Sequence, residues 1–101
     1  MSTVPTIDAH AVAWSDGITD SGARLATLVL DALDRTPVVC VSVRGIRGIP
    51  SSYFNAFFVT AADRLTPEAL ADRVLWVFDS PTQEQVWRRS AMAFKVPLPH
   101  P

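Results

Sequence analysis

The sequence is poor in cysteine and contains no cluster of metal-ligating residues. Cys40 is its only cysteine, so the chain cannot form an internal disulfide bond, and its position within an apolar run is typical of a buried side chain. No set of cysteines and histidines has the spacing of a zinc site. These absences exclude a disulfide-stabilised scaffold, predict no metal and no cofactor, and favour a reducing, cytoplasmic compartment.

Long apolar runs and an excess of basic charge are also absent. No apolar stretch approaches the ~18 residues of a membrane-spanning helix, and the first residues do not combine a basic segment with an apolar one, as a secretory signal would. Nine basic residues against ten acidic ones give a formal net charge of −1, and the densest basic spot is the pair Arg88-Arg89. We therefore expect neither a membrane nor a nucleic acid as a partner.

Catalytic groups in a recognisable arrangement are missing as well. A nucleophilic serine needs a base, yet His10 falls in a predicted strand and His100 in a proline-rich segment. Asp79 follows an apolar run without a second group to work with, and its position suits the start of a helix. We therefore expect that the protein is not an enzyme and has no catalytic residue.

What the chain does contain is material for one small domain. Its 101 residues, 49% of them hydrophobic, suffice for a single modest core. Apolar runs at 38–43 and 74–78, together with a shorter one at 10–14, predict β-strands. The run at 38–43 is almost unbroken, which predicts a strand buried on both faces with Cys40 inside it.

Helical segments alternate with these strands. Apolar residues at helical spacing predict one helix from about 20 to 33, capped by Thr19 or Asp20, and another from 51 to about 63. Capping patterns predict two more helices, which begin after Thr66 and after Ser80. Such alternation predicts an α/β domain with helices packed on a mostly parallel or mixed sheet. The last six residues contain three prolines, so we divide the chain into a domain at 1–95 and a proline-rich tail at 96–101.

One segment has more unusual chemistry than the rest. A loop with two glycines follows the strand at 38–43, and a serine pair and an aromatic residue open the next helix: Arg44-Gly45-Ile46-Arg47-Gly48-Ile49-Pro50-Ser51-Ser52-Tyr53-Phe54-Asn55. Together with the order of elements over roughly residues 8 to 94, this pattern resembles the STAS-like domain family of unknown function, which is related in fold to the STAS domains of anti-sigma-factor antagonists. The resemblance implies a STAS-like mixed sheet with helices packed on it.

The resemblance also implies a non-catalytic regulatory role in bacterial-type signalling. Ser51 takes the position that a histidine-kinase-like ATPase partner phosphorylates in the antagonists, and Ser52 is the serine after it. The partner implied is such an ATPase or an anti-sigma-factor-like protein. This chain has Pro50 where the antagonists typically carry an acidic residue, and Tyr53 where they carry glycine.

Physical chemistry supports a switch at this position, because a helix N-terminus presents unpaired N–H groups that accommodate a phosphate. We expect Arg44 and Arg47 to lie near it. Other interpretations stay open: Ser51 as a helix cap only, a small-ligand or anion sensor built on the Arg44–Ser52 loop, or a structural subunit of a larger assembly, a homodimer included. The predicted partner-binding residues are Arg44, Arg47, Pro50, Ser51, Ser52, Tyr53 and Asn55.

Overall fold

The computed structural model describes residues 4–15 and 17–98, which form a small α/β domain of three strands and five helices. The elements in chain order are β1 (Thr6–Asp8), α1 (Ala9–Val12), α2 (Ile18–Leu33), β2 (Val39–Ser42), α3 (Ser51–Ala62), α4 (Pro67–Arg73), β3 (Val74–Val77) and α5 (Pro81–Ala93). The predicted α/β class and the packing of helices on a sheet are confirmed. The mixed sheet is wrong, because the strands that the structure describes all run parallel.

The helices cover one face of the sheet. The strand order is β1-β2-β3, and crossovers between parallel strands are right-handed almost without exception, so successive crossovers place their helices on the same side. Side chains alternate accordingly: Val39 and Val41 of β2 are buried under the helices, whereas Cys40 and Ser42 between them are half-buried on the other face. The prediction that this strand is buried on both faces, with a buried Cys40, is therefore wrong.

The N-terminal prediction is also wrong in detail. The first strand is β1, and residues 10–12 of the strand predicted at 10–14 belong instead to the short helix α1. Asp8 ends the strand and caps this helix, because its carboxylate accepts a hydrogen bond from the backbone N–H of His10 at 3.1 Å. The next helix, α2, begins at Ile18 with Gly17 as its N-cap residue, so neither Thr19 nor Asp20 caps it.

An aromatic cluster joins β3 to the helix layer. The Trp76 ring extends from the strand under α3, where its centroid lies 5.8 Å from that of Phe54 and 4.9 Å from that of Phe57. Trp87 of α5 closes the cluster, with its centroid 6.0 Å from that of Trp76. Phe54, Phe57 and Phe58 are all buried, which confirms the predicted inner face of α3.

The most extensive contact between two elements joins α2 to α3. Gly22 allows this close approach, because a Cβ atom at residue 22 would overlap the backbone carbonyl oxygen of Tyr53.

Val96, in the predicted tail, is buried and donates from its backbone N–H to the Ala91 carbonyl oxygen at 2.8 Å. Leu98 packs against the core, and the tail residues 99–101 lie outside the described part. Within residues 4–15 and 17–98, no helix combines the length and the apolar character that crossing a bilayer requires.

Candidate functional site

The loop after β2 is held in place by two side chains, one from α5 and one from the residue before its N-cap. The Gln83 side-chain N–H2 donates to the carbonyl oxygens of Val43 at 3.1 Å and Ile46 at 2.6 Å. Asp79 accepts a hydrogen bond from the backbone N–H of Gly45 at 2.8 Å, and the positive φ of Gly45, +88°, suits glycine. The loop is therefore anchored to α5, and its path to the first turn of α3 is defined.

The first turn of α3 carries the two serines on the surface. Pro50 is the N-cap residue and provides no side-chain cap, so Ser51 and Ser52 are the first two residues inside the helix. Both side chains are exposed. Their backbone N–H groups make no hydrogen bond with any residue that the structure describes, whereas the N–H of Tyr53 donates to the Pro50 carbonyl oxygen at 3.1 Å. The interpretation of Ser51 as the helix cap is therefore wrong.

A groove of about 500 Å³, here called the serine groove, runs from Ser51 to the outer side of α5. Arg89 of α5 lines it and belongs to neither of the ion pairs found in the described part of the chain, Arg64–Asp34 and Arg88–Glu84. The buried Ser90 hydroxyl donates to the Asn55 side-chain oxygen at 2.7 Å. The serine groove is lined by Ile49, Pro50, Ser51, Asn55, Val86, Arg89, Ser90 and Ala93.

The predicted site residues do not all meet at this groove. Pro50, Ser51 and Asn55 line it, and Ser52 is exposed beside Ser51. Tyr53 is wrong as a partner contact, because its side chain is 0% exposed and its hydroxyl donates to the Ala13 carbonyl oxygen at 2.7 Å. Helical geometry explains this: residue 53 lies on the buried stripe of α3 with Phe57.

The predicted arginines lie elsewhere in the site. Arg47 is exposed and lines a separate cavity of about 540 Å³, here called the loop cavity, between residues 45–49 and the start of α5. Arg44 is exposed and lines neither the serine groove nor the loop cavity. Arg89, and neither of the two predicted arginines, therefore shares the serine groove with Ser51.

The polar groups of the loop cavity are largely engaged within the protein. The carboxylate of Asp79 lines it and already occupies the N–H of Gly45, and Ser80 accepts from the N–H of Gln83 at 3.2 Å. Arg47 also lines the cavity, so its walls carry one charge of each sign. Within the described residues, no three His, Cys, Asp or Glu side chains are grouped to hold a metal ion.

Sequence reasoning missed Arg89 and Ser90 as parts of the site. The signal was present in α5, since residues 86, 89, 90 and 93 share one helical face and all line the serine groove. Periodicity alone defines that face and leaves open what it contacts. The position beside Ser51 follows from the packing of α5 on α3, which only the tertiary structure provides.

Comparison with protein-family models, with curated proteins and with solved structures gave no match.

Proposed function

We propose that this protein is a non-catalytic regulatory module of STAS-like type, which binds a protein partner through the surface around Ser51 and is switched by phosphorylation there. The partner is a histidine-kinase-like ATPase or an anti-sigma-factor-like protein. The observation that carries the proposal is the exposed Ser51 hydroxyl on the first, uncapped turn of a helix, in one groove with Arg89.

This arrangement suits a phosphate for two reasons. The free N–H groups of Ser51 and Ser52 and the positive end of the α3 dipole favour negative charge at this position. Arg89 adds a guanidinium group that forms paired hydrogen bonds with phosphate oxygens. A phosphoserine at residue 51 would therefore be tolerated by the folded domain.

The same phosphate would change the surface that a partner meets. It adds about −1.5 to −2 charges to a groove whose walls include Ile49, Pro50 and Val86. A partner that covers the groove must desolvate that charge, so phosphorylation weakens docking. The switch acts on the partner and leaves the domain folded.

The experiment compares Ser51→Asp with Ser51→Ala as immobilised baits in an extract of the native host. We expect an ATPase of the histidine-kinase-like type, identified by mass spectrometry, to be retained by the wild type and Ser51→Ala and lost with Ser51→Asp. Both variants should unfold within about 1 kcal/mol of the wild type, because Ser51 caps nothing and an acidic side chain suits the helix start.

A second measurement locates the modification. Incubating the wild type with that ATPase and ATP should add one phosphate, which peptide mass spectrometry places on Ser51; Ser51→Ala stays unmodified and Ser52→Ala is modified normally. Equal retention by Ser51→Asp, or a phosphate on another residue, would refute the proposal.

A further inference from the structure

The outer side of β3 is a sheet edge with no partner strand among the described residues. In β2, the N–H of Cys40 donates towards β1, to Pro5, and the N–H of Val43 donates towards β3, to the Val77 carbonyl oxygen at 3.0 Å. In a parallel ladder this direction alternates from residue to residue. The backbone groups of Leu75 and Val77 therefore point to β2, and those of Trp76 point outward.

The outward-pointing groups border a groove that α4 and the segment Pro97-Leu98 also line. Val74, Trp76 and Phe78 line an open groove of about 600 Å³ beside the edge. The N–H of Val74 is used by the Leu70 carbonyl oxygen, whereas Trp76 offers both an N–H and a carbonyl oxygen. Among the described residues, the Trp76 N–H and carbonyl oxygen have no backbone partner, and an unpaired donor and acceptor at a sheet edge can pair with another strand.

The two edges of the sheet differ in how they are protected. β1 is preceded by Pro5 and ends at the charged Asp8, which are features that discourage pairing at an edge. β3 has the sequence VLWV, with no charge, proline or glycine. On the face away from the helices it exposes Leu75 by 47% and Val77 by 37%. Among residues 4–15 and 17–98, the β3 edge thus has no paired strand and lacks the protecting features of β1.

We propose that the β3 edge pairs with the β3 edge of a second copy of this chain. A two-fold axis at Trp76 makes the two strands antiparallel, and the N–H of each Trp76 donates to the Trp76 carbonyl oxygen of the other copy. Leu75 then lies directly opposite Val77 of the second copy on the face away from the helices, at both sides of the axis.

Self-complementarity is the reason for choosing a second copy over an unrelated peptide. The two exposed apolar side chains of the edge fall opposite each other only when the strand pairs with itself in this register. Pairing joins two three-stranded sheets into one of six strands, within the usual size of sheets in globular proteins. The inference does not depend on phosphorylation of Ser51.

The first test is sedimentation velocity of the full chain between about 1 and 200 μM. We expect a reversible dimer, and we expect Val77→Lys to weaken dimerisation by at least about tenfold, because an edge lysine opposes pairing. Val59→Lys is the matched control: Val59 is 57% exposed on α3, and its replacement should leave the dimer unchanged. A monomer throughout the range, or equal effects of the two lysines, would overturn the proposal and leave the edge to a different partner.

The second test addresses the register. Leu75→Glu should also weaken the dimer, whereas the double variant Leu75→Glu/Val77→Lys places opposite charges across the axis and should recover much of the lost affinity. Hydrogen exchange of the Trp76 N–H in the wild type should slow as the concentration rises, which confirms that the folded edge is the contact. Failure of the double variant to recover affinity beyond the single variants would show that the proposed pairing is wrong.

Discussion

Replacing Gly22 by alanine tests the close packing of α2 on α3. In an exposed helix interior this change is worth about 1 kcal/mol of stabilisation, because alanine has the higher helix propensity. Here the added Cβ overlaps the Tyr53 carbonyl oxygen and lies 3.0 Å from the Ala56 Cβ atom. The overlapping atom belongs to the α3 backbone and cannot move away by a change of rotamer, so the two helices must separate. Overpacking of this kind costs typically 1–3 kcal/mol, and the backbone clash places Gly22→Ala at the upper end.

The expected net effect is a loss of about 2 kcal/mol in the free energy of unfolding, measured by urea denaturation followed by circular dichroism. Gly17→Ala is the control, since a Cβ atom at residue 17 would meet nothing nearer than Asp20 at 3.4 Å. It should change stability by less than about 1 kcal/mol. A Gly22→Ala variant as stable as the wild type, or more so, would show that α2 and α3 do not approach as closely as described.

Two further predictions concern single side chains. Tyr53→Phe removes the hydrogen bond to Ala13 and should lower the free energy of unfolding by about 1–2 kcal/mol at neutral pH. Burial raises the pKa of Tyr53 well above its ordinary value near 10, so the contribution of this side chain to stability is full below pH 10 and is lost as the pH rises further. Urea titrations near pH 11 should therefore show a smaller difference in the free energy of unfolding between variant and wild type. An unchanged difference would contradict the burial of Tyr53. Cys40, half-buried on the face away from the helices, should react with a thiol reagent in the native state, more slowly than in urea; complete native protection would mean that this face is covered.

The starts of the last two helices were predictable because they depend on near neighbours. Thr66 accepts from the N–H of Ala69 at 3.1 Å, and Ser80 accepts from the N–H of Gln83 at 3.2 Å, as their sequence patterns predict. The exposed position of Ser51 at the beginning of α3 belongs to the same group. Each of these features depends on residues at most three positions apart.

Features that depend on the arrangement of elements in space were not predictable in this way. Cys40 lies in an apolar run that is typical of a strand buried on both faces, yet a strand order that follows the chain leaves one face uncovered. Tyr53 was wrongly predicted as a partner contact, and Arg89 was missed, for a related reason. Their helical phase was readable, but the direction in which α3 and α5 face each other depends on tertiary packing.

The attachment of α5 to its neighbours limits how far a charge on Ser51 could move this helix. At its start, α5 is tied to the loop after β2 through Gln83, and further along it is tied to α3 through the buried Ser90 hydroxyl and Asn55. A phosphate on Ser51 would meet Arg89 on a helix that is already fixed at two points, so little movement of α5 is available to transmit a signal. In the proposed switch, the effect of phosphorylation would therefore come from the charge presented in the serine groove. The backbone amide shifts of α5 should then change only near Arg89 in Ser51→Asp.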